Sequence, residues 1–279
     1  MTDEKPDLPK EIARVTDLIN KVSKALGAAY EPTHAKRIEV DPAARIIAAK
    51  AEIDLTDLQR RAVARWLHLE ERYQDNLEAI AAAAIPYLRA DRKPEAIDDD
   101  WLANFFDHAK KVSDKDMQTL WAKILAGQIN GPGAFRKSVL QTVSLLEKED
   151  ANLFVKLCQF EFDIDGFTPV IFDTQGEIYN KRGITFDTMS HLDDIGLITF
   201  NSLASFSRIG MPEKFAITYG SEKYSVVMPE GVKDFEFGHV MLTSAGHQLA
   251  PLSSTPAIPE FPDYAIACWK ARGITVAKV

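Results

Sequence analysis

Asp98-Asp99-Asp100-Trp101-Leu102-Ala103-Asn104-Phe105-Phe106, followed by Met117-Gln118-Thr119-Leu120-Trp121-Ala122-Lys123-Ile124-Leu125-Ala126-Gly127 and then Asn130-Gly131-Pro132-Gly133-Ala134-Phe135, is the stretch around which the chain is organised. Trp101, Leu102, Phe105, Phe106, Ala109 and Val112 recur at the three-and-four spacing of a helix that buries one stripe. The three aspartates ahead of it suit an N-terminus, where carboxylates cap free N–H groups and oppose the positive end of the helix dipole. As a metal cage they lack ligands converging from other directions. Ser113 with Asp116 reads as a capping box for a second helix carrying Met117, Leu120, Trp121, Ile124 and Leu125, with Gly127 as its C-cap. Asn130-Gly131-Pro132-Gly133 breaks the helix and reads as a corner; it lacks the Lys-Ser/Thr ending of a phosphate-binding loop. Phe135, Val139, Leu140, Val143 and Leu146 mark a third helix, and Ala151, Phe154, Leu157 and Cys158 a fourth. Short connections make residues 98–160 a compact helical bundle.

The phrases Ser113-Asp114-Lys115-Asp116-Met117 through Gly127, Pro132-Gly133-Ala134-Phe135 and Leu145-Leu146-Glu147-Lys148-Glu149-Asp150-Ala151-Asn152-Leu153-Phe154 resemble a bacterial family known as domain of unknown function 2806. A similar signature occurs in the abortive-infection alpha proteins, so the resemblance implies a setting in defence against phage. Where the family pattern runs Ser-Phe-Ser-x-Arg-Thr-Leu after Pro-Gly, this chain has Ala134-Phe135-Arg136-Lys137-Ser138-Val139-Leu140. The family brings no agreed activity with it.

Upstream, residues 1–97 read as a helical arm. Ile12, Val15, Leu18, Ile19, Val22 and Leu26 mark a first amphipathic helix closed by Gly27, and a linker over residues 30–40 carries the basic group His34, Lys36 and Arg37. That group reads as a solvated linker, with contact to a phosphate or lipid head left open. Asp41-Pro42 then starts a helix that meets no breaker before Pro86, on the order of 65 Å if continuous at 1.5 Å per residue. Leu55, Leu58, Ala62, Trp66, Leu69, Tyr73, Leu77, Ile80 and Ala84 form a coiled-coil-like seam over residues 42–85, with one irregular step between Tyr73 and Leu77. A seam of that length exceeds what one small bundle can cover, so Leu55, Leu58, Trp66, Leu69, Tyr73, Leu77 and Ile80 are the expected interface between copies of the chain.

Downstream, residues 161–279 change character. Short β-type runs at 170–172, 198–200, 215–219, 224–228 and 235–237 are separated by Gly, Pro or charged turns, and Gly220-Ser221 reads as a hairpin turn. A helix is expected over 185–195, a final helix around Tyr264, Ala267, Cys268 and Ala271, and a last strand at Ile274-Thr275-Val276. Leu192-Asp193-Asp194-Ile195-Gly196-Leu197-Ile198 and Leu242-Thr243-Ser244-Ala245-Gly246 resemble the phrases that bracket the β-wing of winged-helix domains. The expected fold class is therefore α+β: a long helical arm and bundle, then a winged-helix-like module.

Residues 161–279 hold nine Lys+Arg against fifteen Asp+Glu, and the 185–195 helix carries Asp187, Asp193 and Asp194 with no Lys or Arg. With a whole-chain net charge of −8, that argues against nucleic acid as a partner. No run of 18 apolar residues is present, which argues against an integral membrane protein. Cys158 and Cys268 have no Cys-x-x-Cys or His-x-x-x-His context, so they read as thiols in a reducing cytoplasm, and residues 1–6 carry no secretion signal. His191 with Asp193 and Asp194, and His239 with His247, are the only groupings resembling catalytic constellations, and no activated serine or cysteine motif accompanies them. The expected function is thus assembly and recognition without catalysis or a cofactor, as a homo-oligomer whose C-terminal module meets a protein partner or a small ligand. Two alternatives stay open: a dimeric winged-helix DNA-binding regulator, and a metal-dependent nuclease or hydrolase using Asp163, Asp165 and Asp173.

Overall fold

A computed structural model describes residues 57–89, 97–253 and 256–279. The first predicted helix, the His34–Arg37 linker, the start of the long helix and Leu55 lie outside these residues. The described residues fall into two compact units, one ending at Gly133 and the other beginning at Ala134, so the division lies within the 98–160 stretch.

The first unit is helical. Helix α1 (Asp57–Ala84) ends in a 3-10 turn at Pro86 and packs on α2 (Asp99–Ala109) and α3 (Lys115–Asn130). Asp98 caps α2, its side chain accepting from the Trp101 N–H at 2.7 Å. At the next helix the cap is Asp114 rather than Ser113: Asp114 accepts from the N–H groups of Asp116 and Met117, while the Ser113 hydroxyl takes a hydrogen bond from Asn76. Helix α3 also runs past Gly127 to Asn130, because Gln128 and Ile129 beyond it are buried and packing outweighs the weak helix preference of one glycine. Trp101, Phe105 and Trp121 interlock at its centre, with ring centroids 5.3 Å apart in both contacts.

A buried polar network ties α1 to the turn between α2 and α3. Asn76 Nδ2 donates to the Lys110 carbonyl at 2.9 Å; Gln118 Nε2 donates to Asn76 Oδ1 at 3.2 Å and to the Val112 carbonyl at 2.9 Å. Both amides are buried, so each needs these partners.

The second unit begins with α4 (Lys137–Leu145) and α5 (Lys148–Cys158). Strands β1 (Glu161–Asp163) and β2 (Phe167–Pro169) follow, then the short α6 (Glu177–Asn180), α7 (Phe186–Asp194) and β3 (Ile198–Phe200). The chain continues through β4 (Phe206–Arg208), β5 (Lys214–Tyr219), β6 (Glu222–Val227), β7 (Phe235–Gly238) and β8 (Val240–Leu242). It closes with α8 (Ser244–Leu249), α9 (Phe261–Ala271) and β9 (Thr275–Lys278). A five-stranded sheet has the order β2-β1-β5-β6-β9, with β3–β8 and β4–β7 as separate two-stranded ladders. The β5–β6 hairpin turns at Gly220-Ser221, with Gly220 at a φ of 56°, as its turn chemistry requires. The C-terminal β9 docks antiparallel on β6, pairing Val276 with Val226.

Val170-Ile171-Phe172 does not form a strand. Ile171 bridges the β7–β8 segment alone, its N–H donating to Phe237 and its carbonyl accepting from His239; the next N–H, of Phe172, turns to the Tyr179 hydroxyl at 3.3 Å. Gly238 is what lets the backbones meet there: a Cβ on it would lie 1.9 Å from the Ile171 carbonyl oxygen. The core gathers rings from distant segments, with Phe162 centroids 4.9 Å from Tyr219, 5.8 Å from Phe261 and 5.2 Å from Trp269.

Candidate functional site

Two features distinguish themselves: one face of α1 and a cavity beside β1. On α1, Leu58, Trp66, Leu69, Tyr73, Asn76, Leu77, Ile80 and Ala84 share one helical face. The face changes its surroundings along its length. Ile80 is only 1% exposed and sits in the unit's own core, with Asn76 and Ala84 also buried. Leu69, Tyr73 and Leu77 are half-buried, and the Tyr73 ring has the Lys110 ammonium 5.7 Å from its centroid. Leu58 is 68% exposed and Trp66 59% exposed. The stripe that packs at one end therefore continues into solvent at the other, among the described residues.

The second feature is a cavity of about 300 Å³ lined by Cys158, Glu161, Asp163, Phe167, Tyr219 and Ser253 among others. Alternation along β1 sends Phe162 into the aromatic core and brings Glu161 and Asp163 to the cavity on the other face. Glu161 is 9% exposed, and its Oε1 is buried with no hydrogen-bond partner among the described residues. Burial pushes the Glu161 carboxyl up to about 8, against a smaller downward pull from the neighbouring Cys158 thiol. Burial and the nearby Glu161 charge in turn drive the Cys158 thiol well above its ordinary value. A thiol held that way is a poor nucleophile. Asp163 accepts from the Gly166 N–H at 2.8 Å. Tyr219 spans the wall, donating to the Gln159 carbonyl and accepting from the Ile258 N–H, both at 2.8 Å.

The other candidate residues have local partners. His191 Nε2 meets Asp150 of α5 at 2.6 Å, so its partner comes from another helix and not from the adjacent Asp193 and Asp194. Burial alone would raise the Asp150 carboxyl; hydrogen bonds from His191 and the Glu147 N–H outweigh it and hold the group below its ordinary value. His239 Nδ1 lies 2.8 Å from the Asn201 carbonyl. Burial, then the Arg208 charge, lowers the pKa of His247. Asp163 ends β1 and Asp165 lies in the β1–β2 turn with a φ of 55°, while Asp173 accepts from the Gln175 N–H. Among the described residues, no group of three His, Cys, Asp or Glu side chains is placed to hold a metal ion, and no helix is long and apolar enough to cross a membrane.

Glu161 is the residue that sequence reasoning passed over. Its signal is Phe160-Glu161-Phe162-Asp163-Ile164, in which acids alternate with large apolar residues. Without a partner strand, that alternation reads equally well as a solvated edge.

No curated protein and no solved structure matches the chain. The model of a family described as protein of unknown function (DUF2806) matches residues 60–265. That span takes in the Asn76–Gln118 network, the cavity and the greater part of both units, and the chain belongs to this family.

Proposed function

We propose that the protein acts by assembly and recognition rather than by catalysis, with copies joining through the exposed half of α1 and the sheet-bearing unit receiving a partner or small ligand. The setting this reading adopts, from the likeness to the abortive-infection alpha proteins, is antiviral defence in the cytoplasm. One observation carries the assembly half: the apolar face that buries Ile80 and Ala84 runs on to Leu58 and Trp66 in solvent. Exposed, contiguous apolar surface on a helix is what a second helix covers.

The recognition half draws on the meeting of two distant phrases. Thr243 Oγ1 donates to the Gly196 carbonyl at 2.7 Å, the Thr243 N–H donates to Leu197 at 3.2 Å, and Gly246 lies so close to the Leu197 carbonyl that a Cβ would sit 2.2 Å away. Helix α7, the β3–β8 pair and the Ile171 bridge support a winged-helix-like reading of this part. The same arrangement favours a second reading, a DNA-binding regulator, although α7 bears Asp187, Asp193 and Asp194 and no Lys or Arg. Such a regulator loses affinity steeply as salt rises, which a salt series with duplex DNA measures.

The assembly test uses the full chain carrying Leu58→Ser and Trp66→Ser together, because a truncation before Asp98 would strip Asn76, Ile80 and Ala84 from the core. Light scattering is expected to give a multimeric mass for the wild type and a single-chain mass for the double variant. Equal masses for the two overturn the assembly reading.

A further inference from the structure

A carboxyl that lies nine-tenths out of water with one oxygen unmatched is costly unless something supplies a donor. At Glu161 the Cys158 thiol is a neighbouring donor, but none of the described residues supplies one to Oε1. Two hydroxyl groups on the cavity wall are engaged elsewhere: Tyr219 donates to Gln159 and accepts from Ile258, and Ser253 donates to the Ala250 carbonyl. No Lys, Arg or His is among the described residues that line the cavity, while a second carboxyl, Asp163, stands on the same face of β1. An anion entering here meets two acids and no cation. A group made only of donors meets two acceptors, and the half-exposed Phe167 ring adds a face that favours positive charge.

We propose that this cavity binds a small organic cation, an alkylammonium or alkylguanidinium group, with Glu161 as its buried counter-ion and Asp163 as the more exposed second acceptor. A volume of about 300 Å³ is at the small end of ligand pockets and suits such a compact group. The inference names the ligand class for the recognition half of the function proposed above and rests on that half alone.

Binding carries a proton with it. The empty site holds Glu161 protonated up to about pH 8. The cation is met by the carboxylate, so the Glu161 carboxylic acid loses its proton to the buffer as the ion pair forms, and charge balances. The other titratable groups lining the cavity are Cys158 from α5, Asp163 on β1 itself and Tyr219 from β5; Phe167 and the described residues at 253 and 256–257 bring none. Burial pushes both Cys158 and Tyr219 upward, leaving Glu161 as the group that changes state between about pH 6 and 9.

The test is calorimetric titration of the full chain with n-butylguanidinium chloride, which keeps its charge throughout, beside butyrate and 1-butanol as anionic and neutral probes of similar size. Repeating it in two buffers of different ionisation enthalpy counts the protons released. Expected are one site per chain, close to one proton released at pH 7, and affinity rising about tenfold from pH 6 to pH 7 before levelling above about pH 9. Glu161→Gln keeps the side-chain shape, removes the ionising group and is expected to lose at least tenfold in affinity together with the proton release. Butyrate or butanol binding as tightly as the cation, an unchanged affinity in Glu161→Gln, or no heat and no thermal shift with the wild type overturns the proposal. The wild-type pH series stands without any variant. None of these failures alters the masses from light scattering, so the assembly reading falls or stands separately.

Discussion

The two units solve the burial of aromatic rings in opposite ways. In the first, Trp101, Phe105 and Trp121 meet within a short span of chain, on helices whose caps and apolar spacing are written in the local sequence. In the second, Phe162 finds Tyr219, Phe261 and Trp269 from segments far down the chain, the first brought by strand pairing and the other two by helix α9 packed on the sheet. The lesson is that a helical core can be specified turn by turn, whereas a sheet core exists only once its strands are in register.

Trp269→Ala is the strongest challenge to that contrast. The residue is fully buried, and its Nε1 donates to the Glu236 carbonyl at 2.9 Å, so a loss of about 3–5 kcal/mol is expected in urea denaturation. Hydrogen exchange should then show lost protection in β1, β5 and β6 with α2 and α3 retained. Equal loss in both units would mean that they do not fold as separate cores.

Glu161 offers the next largest effect and has no counterpart among the described residues of the helical unit. The native carboxyl keeps its proton to about pH 8, whereas the unfolded one releases it near its ordinary value of 4.5. Between those values the native state binds more protons, so this residue makes stability fall as pH rises from about 5 to 8 and level off above. The expected loss across that window is a few kcal/mol, and Glu161→Gln should remove it. Parallel stability–pH curves for wild type and variant would contradict the burial assigned to this carboxyl.

In the first unit, Asn76→Ala leaves Gln118 and the Lys110 carbonyl short of a partner. A cost of about 1–3 kcal/mol is expected, and a double-mutant cycle with Gln118→Ala should show the two losses to be non-additive. Additive losses would mean that the amides do not act as one network. The smallest effect belongs to the purely local signal: Asp114→Ala removes acceptance from two backbone N–H groups of α3 and should cost about 1 kcal/mol. Thermal melts resolve both.

Much of this was legible beforehand where the signal was local. A capping carboxylate within Asp98-Asp99-Asp100, the final helix around Tyr264, Ala267, Cys268 and Ala271 and the hairpin turn at Gly220-Ser221 each follow from a handful of adjacent residues, although that helix starts earlier, at Phe261. Misreadings came where neighbours in space outvoted neighbours in sequence. Asp114 took the cap that Ser113 was expected to provide because Asn76 claimed the Ser113 hydroxyl. Ile171 became a single bridge because Tyr179 captured the next N–H. On α1, the apolar seam runs from Leu58 to Ala84 with one irregular step, and nothing in its spacing says which half is covered.

The sequence by itself determined the four helices between Asp98 and Cys158, their apolar faces, the acidic balance and membership of a family, since these depend on residue identity at short spacing. Tertiary structure alone decided that Ile80 is core while Trp66 is surface, and that Glu161 faces a cavity with Cys158 beside it and one oxygen unmatched. The physical reason is that burial is a property of what packs against a side chain, and for both α1 and β1 that partner comes from elsewhere in the chain.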